Sequence, residues 1–167
     1  MVLTLSVDGV QVIKWYVDVS YAVHNDCRSH TGSVLTLGKG GITNGSIKQN
    51  LNVKSSTEAE LVGTDDTLTQ LLWTNYFLEA QGFKAKGTIL YQDNMSTMLM
   101  LKNGKAYTTR RTKHINVRYF FITDRIRNGE VTIEHCPTDK MVADYFTKPL
   151  QGRKFIEFHN DVMNLQE

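Results

Sequence analysis

Four acidic residues lie within or directly beside apolar segments of the sequence, or at the start of a predicted helix. Asp18 lies inside the apolar run "WYVDVS", and Asp93 closes the hydrophobic segment "ILYQDN". Glu60 follows hydroxyl residues in "SSTEAEL", and Asp144 lies in "VADYFTK". A carboxylate at the end of a hydrophobic strand is costly unless helix amides, a cation or a metal ion pair with it.

The chemistry open to these acids depends on whether the fold brings them together. Four carboxylates in close contact could not all ionise without cations. Oxygen ligands suit Mg²⁺ or Mn²⁺, and two such ions roughly 4 Å apart stabilise the attacking and leaving oxygens of a phosphodiester displacement. A two-metal site is therefore the functional hypothesis for this set.

Each acid also has a simpler interpretation that the residues alone leave open. Asp18 would be an edge-strand solubiliser, Asp93 a cap for the helix that follows it, and Asp144 a solvent-facing residue. Glu58 and Glu60 would favour the positive end of a helix dipole. Asp18 is the hardest to explain in this way, because aromatic and β-branched residues surround it.

The spacing of apolar residues along the sequence predicts the strands and helices that position these acids. Alternating β-branched and aromatic residues predict strands over 12–23, 32–38, a segment between 42 and 53, 87–92 and 130–136. Helical spacing predicts helices over 55–81, 94–102, 113–127 and 152–164, with a short one over 138–148. The first three strands favour an antiparallel meander, and the later β-helix-β passages add parallel strands.

Two details support the predicted helices. Ser55 and Glu58 have the spacing of a capping box at the start of the longest helix, whose apolar stripe contains Leu61, Leu68, Leu72 and Tyr76. The stripe of the helix over 113–127 contains Ile115, Tyr119, Ile122 and Ile126. We expect a single domain over 1–167, with a core at about 12–150 and a C-terminal helix at about 152–164.

Composition adds limits on the class of protein. The 167 residues have a net charge of +2, two cysteines and no apolar run of membrane-spanning length. We therefore expect a globular protein of a reducing, intracellular compartment that does not bind membranes and is monomeric when isolated. The segment 102–128, called the basic segment below, holds eight basic residues and one acid. This pattern favours a local polyanion site, although a solvated surface is the alternative.

Five motifs, taken together, resemble one family. They are "YVDVSYAV", "SSTEAEL", "LYQDN", "RTKHINVRYFFI" and "PTDKMVADYFTKPL", which cover about residues 12 to 160. Their order is similar to that of the ribonuclease H domain of copia-type (Pseudoviridae-like) LTR retrotransposon polyproteins. The resemblance implies a ribonuclease H-like α/β fold with a five-stranded mixed sheet, three strands antiparallel and two parallel, flanked by helices.

The resemblance implies a function and a set of site residues. The function is metal-dependent cleavage of the RNA strand of RNA–DNA hybrids, with two Mg²⁺ ions or with Mn²⁺, giving 3′-hydroxyl and 5′-phosphate ends. Asp18, Glu60, Asp93 and Asp144 would be the catalytic and metal-binding residues, with Glu60 preferred to Glu58. The implied nucleic-acid contacts are Ser20, Asn94, Arg110, Arg111, Lys113, His114 and Arg118. Gln92, a position where many members have Cys, is taken as neutral.

Several alternatives stay open. His135 would be either a helper in product release or a strand-surface residue, and His114 either a phosphate contact or a structural residue. The chain would be either a nuclease or a catalytically weak hybrid-binding module that needs a reverse transcriptase partner. Another nuclease or an integrase of the same fold is the third class, although the order of the acids fits ribonuclease H better. We expect an excised piece of a polyprotein with Met1 added, working in the cytoplasm or a virus-like particle.

Overall fold

The strands form one mixed five-stranded sheet and a separate two-stranded one in the computed structural model, which describes residues 3–7, 11–103 and 113–165. The larger sheet has the order β5-β3-β2-β6-β7, with β2, β3 and β5 antiparallel and β2, β6 and β7 parallel. The predicted fold class is therefore confirmed. The strands are β1 (Ser6–Val7), β2 (Val12–Ser20), β3 (His30–Thr36), β4 (Gly38–Lys39), β5 (Thr43–Lys48), β6 (Gly87–Gln92) and β7 (Thr132–His135). The short strands β1 and β4, which pair with each other, were not predicted.

The described helices agree with prediction except near the end of the chain. They are α1 (Ser56–Ala80), α2 (Met95–Asn103), α3 (Lys113–Arg127) and α4 (Gly152–Met163). The single short helix expected over 138–148 is wrong, because this stretch forms two 3₁₀ segments, Thr138–Lys140 and Val142–Phe146. None of the helices in the described ranges is both long and apolar enough to cross a membrane.

The main core lies between the sheet and helices α1, α2 and α3. Trp15 on β2 and Leu90 on β6 are buried there with Leu61 and Leu68 of α1 and Tyr119 of α3. Removing such apolar surfaces from water stabilises the fold by roughly 25 cal/mol per Å². The predicted stripe of α1 is wrong at one position, because Tyr76 is half exposed and its hydroxyl donates to Glu130 Oε2 at 2.6 Å.

Two glycines let neighbouring segments approach the end of β2. Gly32 of β3 lies opposite Asp18, and a Cβ atom added there would be 2.6 Å from the carbonyl oxygen of Ala143. Gly63 of α1 faces the side chain of Val19, which would be 2.5 Å from an added Cβ. Both distances are shorter than van der Waals contact, so these two positions allow the 142–148 segment and α1 to pack closely beside Asp18.

Candidate active site

Three carboxylates converge at one edge of the sheet. The parallel strands β2 and β6 are neighbours, so Asp18 near the end of β2 and Asp93 just after β6 lie at the same edge. Glu60 reaches this edge from the first turns of α1. Ligand oxygens of Asp18, Glu60 and Asp93 all lie within 4.8 Å of one another. This spacing and the hard oxygen ligands fit a divalent cation such as Mg²⁺ or Mn²⁺.

Asp144 approaches the same edge from the second 3₁₀ segment. Lys148 links it to Asp18, because the lysine Nζ atom is 2.7 Å from Asp144 Oδ1 and 3.4 Å from Asp18 Oδ1. The hydroxyl of Thr147 donates to Asp18 Oδ2. The four carboxylates, called the acidic cluster below, therefore share one region, with Asp144 and Asp18 held by a common ammonium group.

Burial raises the pKa of three carboxylates in the acidic cluster, Glu60, Asp93 and Asp144. Burial and the Asp18 charge raise the pKa of Glu60 well above its usual range and also raise the pKa of Asp93. Burial raises the pKa of Asp144 to about 6. Burial opposes the charged form of Lys148, but the neighbouring carboxylates raise the pKa of that lysine overall. A cation in the cluster would favour the charged carboxylates, as expected of a metal site.

The sequence is similar to retrovirus-related Pol polyproteins of plant transposons. The retrovirus-related Pol polyprotein from transposon TNT 1-94 of Nicotiana tabacum is 32% identical over 145 residues, which is 86% of this chain and 11% of that protein. The Pol polyprotein from transposon RE1 of Arabidopsis thaliana is 29% identical over 160 residues, 95% of this chain and 10% of that protein. The chain thus spans about a tenth of the length of these relatives. No protein-family model matches the sequence.

Solved structures with the same fold include ribonucleases H. LC11-RNase H1, isolated from compost, superposes with a TM-score of 0.59 at 16% identity, covering 81% of this chain and 92% of the other. The same enzyme in complex with an RNA/DNA hybrid gives a TM-score of 0.53 at 14% identity, covering 77% and 88%. The chain matches the ribonuclease H domain of a retrotransposon polyprotein. The expected family resemblance is therefore confirmed.

Two glutamates of this chain, only two residues apart, have different surroundings. Glu58 takes part in capping α1: its backbone N–H donates to Ser55 Oγ at 3.2 Å, and its Oε2 accepts from the Lys54 backbone at 2.8 Å. Glu60 instead lies in the acidic cluster and is only 5% exposed. The choice of Glu60 as the metal ligand remains a prediction, and the geometry favours it.

Four polar residues contact the carboxylates of the acidic cluster, and these contacts were not predicted from the sequence. Thr147 and Lys148 contact Asp18, Thr138 Oγ1 donates to Asp93 Oδ2 at 3.3 Å, and the amide of Gln92 donates to Glu60 Oε2 at 3.1 Å. Thr147 and Lys148 belong to the quoted motif "ADYFTKPL", so their place in a specific motif was the available signal. Gln92, expected above to be neutral, is fully buried.

The predicted substrate contacts near the cluster have partners within the chain. The Ser20 hydroxyl donates to the carbonyl of Thr147 at 3.1 Å. Asn94 caps α2, because its Oδ1 accepts from the backbone N–H of Thr97 at 3.1 Å. Both residues lie beside the acidic cluster, so their assignment to nucleic-acid binding stays a prediction. His135 is exposed at the end of β7, at the same edge, and its helper role likewise stays a prediction.

The predicted contacts in the basic segment lie partly outside the described residues. Arg110 and Arg111 fall in the range 104–112, which the structure does not describe. Lys113 and His114 begin α3, and their side chains are also outside the description. Arg118 forms ion pairs with Asp65 and Asp66 of α1. A guanidinium that is held by two carboxylates of its own chain is less available to a phosphate than the sequence suggested.

Proposed function

We propose that this domain cleaves the RNA strand of RNA–DNA hybrids at the acidic cluster. The observation that carries the proposal is the convergence of Asp18, Glu60 and Asp93 within 4.8 Å at the sheet edge, with Asp144 bound to the same region through Lys148. The proposal draws support from the fold, since one neighbour of the same fold was solved as a complex with an RNA/DNA hybrid.

The acidic cluster suits divalent cations. Asp18, Glu60 and Asp93 would hold one Mg²⁺ ion, and Asp18 with Asp144 would hold a second. Bound at these residues, the ions would stabilise charge on the attacking and leaving oxygens of the phosphodiester. We expect Mn²⁺ to substitute for Mg²⁺, because both ions prefer oxygen ligands.

The chain's own residues would position this chemistry. The Thr147 hydroxyl and the Lys148 ammonium both contact Asp18, so the orientation of that carboxylate is fixed before substrate arrives. Lys148 carries a positive charge within reach of two carboxylates and would lie near a bound phosphate. Parts of the basic segment that face solvent would add phosphate contacts, which position the hybrid without reading its sequence.

A comparison of four substrates tests the proposal. The protein is incubated with Mg²⁺ and an end-labelled RNA–DNA hybrid, single-stranded RNA, double-stranded RNA or double-stranded DNA. We expect cleavage of the RNA in the hybrid alone, with 3′-hydroxyl and 5′-phosphate products, and no cleavage in EDTA. Equal cleavage of double-stranded DNA, or full activity in EDTA, would refute the proposal.

A second candidate is a hybrid-binding module with weak catalysis that depends on a reverse transcriptase in the parent polyprotein. One observation favours it: the Lys148 ammonium already neutralises two carboxylates, so it would compete with a cation for Asp18 and Asp144. The same assay separates the candidates. Tight hybrid binding with cleavage that appears only when reverse transcriptase is added would support the second candidate.

A further inference from the structure

Gln92 is a buried amide placed among the acidic residues. It ends β6, directly before Asp93, and none of its side chain is exposed. Burying an amide costs about 1–3 kcal/mol by protein mutational data unless its polar atoms find partners. The hydrogen-bond partners of Gln92 therefore indicate the role of this buried amide.

Two backbone donors fix the orientation of the amide. Gln92 Oε1 accepts from the backbone N–H of Asp93 at 2.9 Å and from that of Asn94 at 3.0 Å. An amide turned the other way would place its NH₂ group against these two donors, leaving all of them without acceptors. The nitrogen of the side chain must therefore point away from the turn.

That nitrogen points at the acidic cluster. Gln92 Nε2 donates to Oε2 of Glu60 at 3.1 Å, although the two residues lie 32 positions apart on β6 and α1. Glu60 is long and flexible, and a hydrogen bond to one of its oxygens restricts the direction of the other. The amide thus ties the carboxylate from α1 to the turn that carries Asp93.

We propose that Gln92 is a positioning residue that orients Glu60 for cation binding beside Asp18 and Asp93. This inference rests on the proposed function, because the orientation of Glu60 matters only if the acidic cluster binds a cation. Partners of metal-ligating side chains typically change metal affinity about 10–100-fold when they are removed. Gln92 lies one hydrogen bond behind Glu60 and in the position of such a partner.

Two substitutions separate positioning from simple packing. Gln92→Met keeps the length of the side chain and removes both hydrogen-bonding functions. Gln92→Asn is one methylene shorter, so its amide no longer reaches Glu60 to form the hydrogen bond. The side-chain carbonyl of Asn can still accept from the backbone N–H two residues on, as Asn does in turns. Gln92→Asn therefore remains informative if Gln92→Met fails to fold.

Gln49 supplies a matched control. It is also a buried glutamine, 2% exposed, and its Nε2 donates to the Ala59 carbonyl at 2.9 Å, next to Glu60 along α1. The other bond of that nitrogen goes to Thr31 Oγ1 at 3.0 Å. Gln49→Met removes a comparable buried amide close to the cluster, without removing a hydrogen bond to a carboxylate.

The test is calorimetric titration of Mn²⁺ into the full metal-free chain. We expect both Gln92 variants to raise the Mn²⁺ dissociation constant about tenfold, and Gln49→Met to leave it within about twofold while lowering the melting temperature. In a Glu60→Gln background, Gln92→Met should change the constant by less than about twofold, because the residue through which it acts is gone. Higher Mg²⁺ should also restore most of the hybrid cleavage lost by Gln92→Met.

The possible failures are distinct. The positioning role would be overturned if Gln92→Met weakened Mn²⁺ binding equally in the wild-type and Glu60→Gln backgrounds. It would also be overturned if Gln49→Met weakened Mn²⁺ binding as much as Gln92→Met does. Either result would leave Gln92 a structural role. Unchanged Mn²⁺ affinity in both Gln92 variants would overturn it as well. A wild-type chain with no saturable Mn²⁺ binding and no hybrid cleavage would instead overturn the proposed function.

Discussion

The acidic cluster and the basic segment are both concentrations of like charge, but the cluster is assembled from distant elements whereas the segment is continuous along the chain. The cluster gathers four carboxylates from distant elements, and the ammonium group of Lys148 pairs with two of them, Asp18 and Asp144. In the described part of the basic segment, acids pair with two of the arginines: Arg118 pairs with Asp65 and Asp66, and Arg125 with Asp124 and Glu130. Charge counted along a sequence therefore differs from charge that is available to a ligand.

The largest expected effect comes from removing a charge in the cluster. Asp18→Asn keeps the shape of the side chain but removes a cation ligand, so hybrid cleavage in Mg²⁺ should fall by about three orders of magnitude or more. Glu58→Gln is the control, because that carboxylate caps α1 and lies outside the cluster. Its cleavage rate should stay within about twofold of wild type. If Glu58→Gln lost cleavage while Asp18→Asn retained it, the assignment of Asp18 as a cation ligand and of Glu58 as a helix cap would be wrong.

A second prediction concerns the packing that brings Asp144 to the cluster. In Gly32→Ala the added methyl group would collide with the Ala143 carbonyl and move the 142–148 segment. We expect destabilisation of about 1–3 kcal/mol and a loss of cleavage of at least about tenfold, because small misplacements of reacting groups are costly. Gly87→Ala is the control, since an added Cβ there meets no atom within 4 Å. Similar damage from both would show that the fit beside Asp18 is unimportant.

The third prediction tests whether Arg118 forms ion pairs within its own chain or contacts phosphate groups of the hybrid. If Arg118 mainly binds its own chain, Arg118→Ala should lower the free energy of unfolding by about 1 kcal/mol or less. The salt dependence of hybrid binding should not change. A contact with phosphate would instead reduce the slope of log K against log salt by about 1. Binding is measured with Asp93→Asn protein, so that cleavage does not interfere.

The smallest expected effect is on stability against pH in EDTA. Burial raises the pKa of Asp144 to about 6 in the folded protein, whereas in the unfolded chain the pKa of an aspartate is about 4. Between these values the folded state binds more protons, so stability should fall as pH rises. Asp18 and Asp93 favour this protonation and Lys148 opposes it. Thermal melts of Asp144→Asn should show a flatter profile; an equally steep one would assign the pH dependence to other groups.

The sequence predicted those parts of the fold and site that depend on local pattern. Asp18 and Asp93 could be placed because each follows a run of strand-forming residues, and α1 because of its period and cap. Pairing between distant residues could not be predicted. Lys148 meets Asp18 across 130 positions, and Arg118 meets Asp65 across 53. A motif can mark Lys148 as notable, but no local signal reports which residue it contacts, so the pairing of Lys148 with Asp18 and of Arg118 with Asp65 became visible only in the structure.

In the proposed mechanism the acidic cluster performs the chemistry and other surfaces bind the hybrid. The most direct measurement compares wild type and Asp93→Asn in two assays on the same preparations: single-turnover hybrid cleavage in Mg²⁺ and hybrid affinity. We predict that the variant loses cleavage by about three orders of magnitude while its hybrid dissociation constant stays within about threefold. Cleavage by Asp93→Asn at the wild-type rate would contradict the account.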